Sequence, residues 1–149
     1  MSQSPLTDVP GRPPPRRSEI ATLSATLDVD AEQTGTLRAT VRIDHQGDAP
    51  ISLLDPFGTL QWQLLDDRGA PLELPRAVPA VFTRATPPRV SLEPGGQVST
   101  TVEFPRLADG RALAAGAYSL GVIAPLVDAD ATEHSRLLQA AALPVTFSA

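Results

Sequence analysis

The sequence predicts an all-β protein, an antiparallel β-sandwich of about seven strands, and three observations predict it. Apolar and polar residues alternate with a period of two in short runs along most of the chain, the pattern of strands with one buried face. Sixteen prolines and ten glycines separate those runs, and both residues mark turns rather than element interiors. No run shows the three-to-four spacing of a long amphipathic helix. The 149 residues suit one domain, at about 100–200 residues each. With 42% apolar residues and only Trp62 and Tyr118 of their types, the core must be built from Leu, Val, Ala and a few Phe.

The chain opens on "MSQSPLTDVPGRPPPRRSEI", which has neither the basic start nor the continuous apolar run of a secretory signal. Its Pro, Ser and Arg content and lack of a periodic apolar face predict a disordered leader over residues 1–19, followed by a single domain over 20–149. In "IATLSATLDVD" Leu23, Ala25, Leu27 and Val29 alternate with Thr22, Ser24, Thr26 and Asp28. After "EQTG", "TLRATVRID" repeats the pattern with Leu37, Ala39, Val41 and Ile43. The two runs read as an antiparallel pair with one wet face.

"ISLL" and "QWQLLDD" follow "HQGDAP" as short strands, and "DDRGAP" has the composition of a hairpin turn in which Gly69 takes positive φ. In "RVSLEPGGQVSTTVEFP" Pro94 presets φ, Gly95 and Gly96 permit conformations closed to other residues, and Val98, Thr100, Val102 and Phe104 alternate again. That stretch is a corner between strands. "RLADGRALAAG" is a polar, Ala-rich connection, and "AYSLGVIAPLV" a strand. Leu137–Leu143 has the propensity of a short helix, but Val145 and Phe147 alternate with Thr146 and Ser148, and a closing strand is placed at Gln139–Phe147. The pattern also admits a closed barrel. Polar outer faces on the early strands and the long connection near Pro75–Arg89 favour two packed sheets.

Composition excludes more than it selects. There is no cysteine, so no disulfide framework and no thiolate chemistry; with no signal and no apolar span, a cytoplasmic location is expected. Every basic residue is Arg, and the net charge is −5. The leader carries +1 and the remainder −6, so an acidic body without a basic stripe argues against nucleic acid. "PPPRR" is the one stretch suited to RNA, an acidic surface or a proline-recognition module.

"ATVRIDHQGDAPISLL", "LQWQLLDDRGAPL", "VSLEPGGQVSTTVEF" and "LADGRALAAGAYSLGVI" resemble successive strands of bacterial Ig-like domains, over about Arg38–Val127. The L-x-P-G-G corner and the G-x-Y-x-L strand at Gly116–Leu120 carry the likeness. Two families are resembled: the BsuPI intracellular proteinase inhibitors, and the Ig-like region ahead of deuterolysin-type peptidase domains. The resemblance implies an Ig-like fold and, in the first case, inhibition of a protease. No catalytic residue carries across, because "ATEHSR" lacks the H-E-x-x-H motif, and no reactive loop can be mapped from the inhibitors.

The residues themselves offer little chemistry. His45 and His134 lie in separate polar loops, where zinc needs three or four converging ligands, and His45 beside Asp44 and Asp48 reads as a solvated turn. "DADATEH" compares poorly with a calcium loop, with Glu133 where Gly is needed and Gln139 where a bidentate Glu is needed. Asp66–Asp67 suit a turn. No nucleophile elbow or phosphate loop is present, so neither an enzyme nor a cofactor or metal is expected. The long, proline-stiffened "PRAVPAVFTRATPPR" is the candidate protein-binding loop, with Val81 and Phe82 at an apolar tip flanked by Arg76, Arg84 and Arg89; the alternative is that Val81 and Phe82 enter the core. The expectation is a non-enzymatic protein-binding module acting through loops or an exposed sheet edge. A protease inhibitor and a self-assembling accessory subunit are the alternatives, and a small-ligand module ranks last for want of aromatic residues.

Overall fold

Alternation decides which side chains go inside, and pairing decides where each strand goes. The computed structural model describes residues 2–11, 19–31, 36–73, 78–79, 89–105, 107–108, 111–112, 114–140 and 142–147. Its strands are β1 (Ser2–Asp8), β2 (Leu23–Ala31), β3 (Thr36–His45), β4 (Ile51–Leu54), β5 (Gln61–Leu65), β6 (Pro71–Leu72) and β7 (Val78–Pro79). They continue with β8 (Arg89–Leu92), β9 (Gln97–Pro105), β10 (Leu107–Ala108), β11 (Arg111–Ala112), β12 (Gly116–Val127), β13 (Ser135–Ala140) and β14 (Leu143–Phe147). The only helical element among the described residues is a 3₁₀ turn at Glu19–Thr22. The protein is all-β, as expected. The count of about seven strands falls short because two-residue strands such as β6 and β7 carry no alternation to read.

Ten strands form one antiparallel sheet in the order β6-β5-β12-β13-β1-β2-β3-β9-β7, with β14 also on β12. β13 and β14 pair with successive parts of β12. Between Ile123↔Gln139 and Leu120↔Leu143 the register shifts by one residue. β4 and β8 pair separately, and a bridge from Leu53 to Asp128 sets β4 beside the end of β12. The expected faces of β2 and β3 are the observed ones: Leu23, Ala25, Leu27, Val29, Leu37, Ala39, Val41 and Ile43 are all at most 5% exposed.

The large sheet is curled. β5 and β9 stand six steps apart in the strand order, about 29 Å in a flat sheet at about 4.8 Å per strand. Yet the rings of Trp62 on β5 and Phe104 on β9 meet edge to face at 5.2 Å. The two ends of the sheet therefore enclose one core, in which Phe104, Leu120, Leu126 and Leu138 are at most 1% exposed.

One expectation is corrected. The disordered leader does not extend over Ser2–Asp8, which pair with β2 at Ser2↔Val29 to Leu6↔Ala25 and with β13 at Leu6↔Ala140 to Asp8↔Leu138; residues 12–18 lie outside the described residues. Ser4 and Leu6 are buried between exposed Gln3, Pro5 and Thr7, an alternation too short to read against its Pro and Ser content. The closing strand placed at Gln139–Phe147 is observed as the end of β13 and as β14, whose pairing with β12 outweighs the helical propensity of that stretch.

Prolines obey the pairing. Pro5, Pro71, Pro79, Pro105, Pro125 and Pro144 all lie within strands, and each has one paired neighbour among the described strands. A residue without an N–H can sit in a ladder only where one side makes no demand on it.

Candidate binding edge

"EPGG" builds the corner that delivers β9 to its place. Gly96 N–H bonds the Glu93 carbonyl at 2.7 Å, and Gly95 at φ 80° follows Pro94, the arrangement of a type II turn. The turn is fastened to the end of β3: His45 N–H donates to Gly96 O, and Gly95 N–H to His45 O, both at 2.9 Å. β8 before the turn pairs with β4, and β9 after it pairs with β3. The sequence predicts a corner between strands; the pairing adds that it leads from one sheet to another.

β9 runs nine residues beside β3, from Gln97↔Asp44 to Thr36↔Pro105. On its far side β7 pairs with Val102 and Glu103, and no described strand pairs with Gln97–Thr101. Because Gly96 O faces β3, alternation sends the N–H and C=O groups of Ser99 and Thr101 to the outer edge. The inward-facing side chains Val98, Thr100 and Val102 are only half-buried, although their cross-strand partners Ile43, Val41 and Ala39 are fully buried. The outer face, by contrast, is self-satisfied: Arg38 pairs with Glu103 at 2.7 Å, Arg42 with Asp44 at 3.1 Å, and Thr40 with Thr101 at 2.8 Å.

A shallow cleft of about 320 Å³ lies elsewhere, over Gly121 and bordered by Gln61, Gln63, Ile123, Gln139 and Ala142. It contains no titratable side chain. Its lining offers neutral hydrogen bonds from three Gln side chains and apolar contact with Trp62, Val122 and Ile123.

The sequence-nominated loop residues fare unequally. Arg76, Val81, Phe82 and Arg84 lie outside the described residues. Arg89 opens β8, exposed, with Nη1 3.0 Å from Asp130 Oδ1, an exposed pair worth at most about 1 kcal/mol. His45 is not in a solvated turn but 1% exposed: Nε2 lies 2.5 Å from the Ala49 carbonyl and Nδ1 3.0 Å from Thr22 Oγ1. A carbonyl only accepts, so Nε2 carries the proton. With both nitrogens engaged, the ring ties the Glu19–Thr22 turn to the loop after β3. Packing of the Glu19–Thr22 turn against this loop buries it, which local polarity did not signal.

At "DADATEH" Asp128 is 8% exposed and its Oδ1 accepts from Asp130 N–H at 2.9 Å, so this carboxylate braces its own loop. Asp66 Oδ1 accepts from Arg68 and Ala70 N–H, both at 2.9 Å, the Asx-type turn expected. Among the described residues no group of three or more His, Asp or Glu is placed to hold a metal ion, and no helix is long and apolar enough to cross a membrane.

No family model matches the chain, and no curated protein matches it. One similar solved structure, the X-ray structure of Northeast Structural Genomics Consortium target SoR45, superposes with a TM-score of 0.48 at 10% identity over 84% of each chain. A likeness of that extent carries no argument about this protein, so function has to be argued from its own residues.

Proposed function

We propose that this protein is a non-enzymatic Ig-like binding module that captures an extended segment of another protein by strand addition along the outer edge of β9. The observation that carries the reading is the five-residue stretch Gln97–Thr101, which no described strand pairs with on the side away from β3, beside the half-buried side chains of Val98 and Thr100. A guest strand there gains main-chain hydrogen bonds from Ser99 and Thr101 and covers apolar surface with alternate side chains. Pro79 on β7 offers no N–H, so β7 itself is a poor place to add a strand. The Ig-like element of the proposal is supported by Tyr118 near the start of β12, whose hydroxyl donates to the Ala114 carbonyl at 2.8 Å. A tyrosine bonded back to the backbone a few residues upstream recurs in Greek-key sandwiches.

The test is selection of displayed extended peptides on the wild-type chain, followed by binding of enriched peptides to Ser99→Pro. Proline at Ser99 removes an outward N–H and leaves the β3 ladder intact. Loss of at least tenfold in affinity with an unchanged melting temperature is expected. Equal binding to both chains, or no enrichment, overturns the proposal. Titration of a protease panel adds the inhibitor form of the same reading, which stands only if stoichiometric inhibition is lost in Ser99→Pro.

A further inference from the structure

We infer that β1 is an exchangeable strand, and that two copies of this chain associate by each placing its Ser2–Asp8 between β2 and β13 of the other. The seat is specific. β1 is antiparallel to both neighbours, with five register pairs to β2 and three to β13. Without it, two open edges face one another across a gap that one strand fills.

The strand is held lightly for an element inside a sheet. Of its described side chains only Ser4 and Leu6 are buried, and Leu6 is the single large apolar one. Its end is locked by charge: Arg136 on β13 bonds both oxygens of Asp8, through Nε at 2.5 Å and Nη2 at 3.1 Å. Nη1 of the same guanidinium bonds the carbonyls of Ala21 and Leu23. Every group that receives β1 therefore belongs to the body of the domain, and a strand from a second copy meets the same partners.

The connection bounds the exchange. Val9 N–H still bonds Leu137 O at 3.0 Å, and "PGRPPPRRS" leads from there to the Glu19–Thr22 turn. Any chain of nine residues spans at most about 30 Å, and that length sets how far away an adjoining copy can lie. Exchange of an identical element creates a dimer without any new contact to optimise.

Because the chain has no cysteine, the full-length protein reports this directly as Thr7→Cys/Gln139→Cys, which joins exposed register partners of β1 and β13. Protein refolded at its highest soluble concentration is separated by size, each fraction is oxidised, and non-reducing gels are run after denaturation. Exchange gives a covalent dimer from the dimer fraction and a disulfide within one chain from the monomer fraction. Gln3→Cys/Asp28→Cys gives the same readout from the β2 side should the first pair fail to fold. A chain that stays monomeric throughout, or a dimer whose disulfides close only within single chains, overturns the inference.

Discussion

Replacing Phe104 with Ala should test whether the two ends of the sheet enclose one core. The ring is 1% exposed and meets Trp62 at 5.2 Å and 74°. An aromatic side chain buries on the order of 150–200 Å², about 4–5 kcal/mol at about 25 cal/mol per Å². Ala keeps about 1 kcal/mol of that, so the expected loss is about 3–4 kcal/mol, within the range measured for buried Phe→Ala changes. Set against about 5–15 kcal/mol for a whole domain, such a loss moves a urea midpoint plainly. The chain supplies its own probe: Trp62 is its only tryptophan and stands on the opposite end of the sheet order from Phe104. Urea unfolding followed by Trp62 emission should show the lower midpoint, and the native Trp62 emission should shift to the red. A loss below about 1 kcal/mol, the scale of a surface substitution, with unchanged native emission, would refute the curled sheet.

The remaining predictions concern β1, the corner and the buried histidine. Asp8 is held below the ordinary aspartate range chiefly by the hydrogen bonds from Arg136, with burial opposing them and the Arg136 charge adding to them. Its folded pKa is depressed, so its contribution to stability is present above the unfolded value of about 3.9 and is lost as pH falls through the folded value; a urea titration from pH 6 to 2 should show this, and Asp8→Asn should flatten that part of the curve. Gly95→Ala forces a Cβ onto a backbone at φ 80° and should cost about 1–2 kcal/mol in urea unfolding, whereas Gln97→Ala on the exposed edge should stay within about 0.5 kcal/mol. Thr100→Pro removes an N–H from the β3 ladder and should unfold the protein by circular dichroism where Ser99→Pro does not. His45→Ala leaves the Ala49 carbonyl and a small cavity, and about 2–4 kcal/mol of lost stability is expected by the same measurement.

Much of this was legible residue by residue. The alternation of β2 and β3 named eight core residues, and all eight are buried, because a period of two leaves a strand only one apolar face to turn inward. "EPGG" and "DDRG" were legible as turns because Gly95 and Gly69 are needed at φ 80° in each. The burial of His45 was not legible, since Asp44 and Asp48 beside it look like solvent and only the packing of the Glu19–Thr22 turn removes the water. β1 escaped notice for a related reason: its two buried side chains are too few to stand out from the Pro and Ser around them.

By itself, then, the sequence determined the fold class, the face each strand turns inward and the places where the chain bends, all of which depend on side chains a few residues apart. Tertiary structure alone decided that β1 lies inside the sheet, that Trp62 meets Phe104, and that the outer edge of β9 has no described strand beside Gln97–Thr101. Strand neighbours are chosen through backbone N–H and C=O groups that are the same in every residue. A ladder leaves almost no mark in the sequence except at proline, and the six strand prolines are where it can be read.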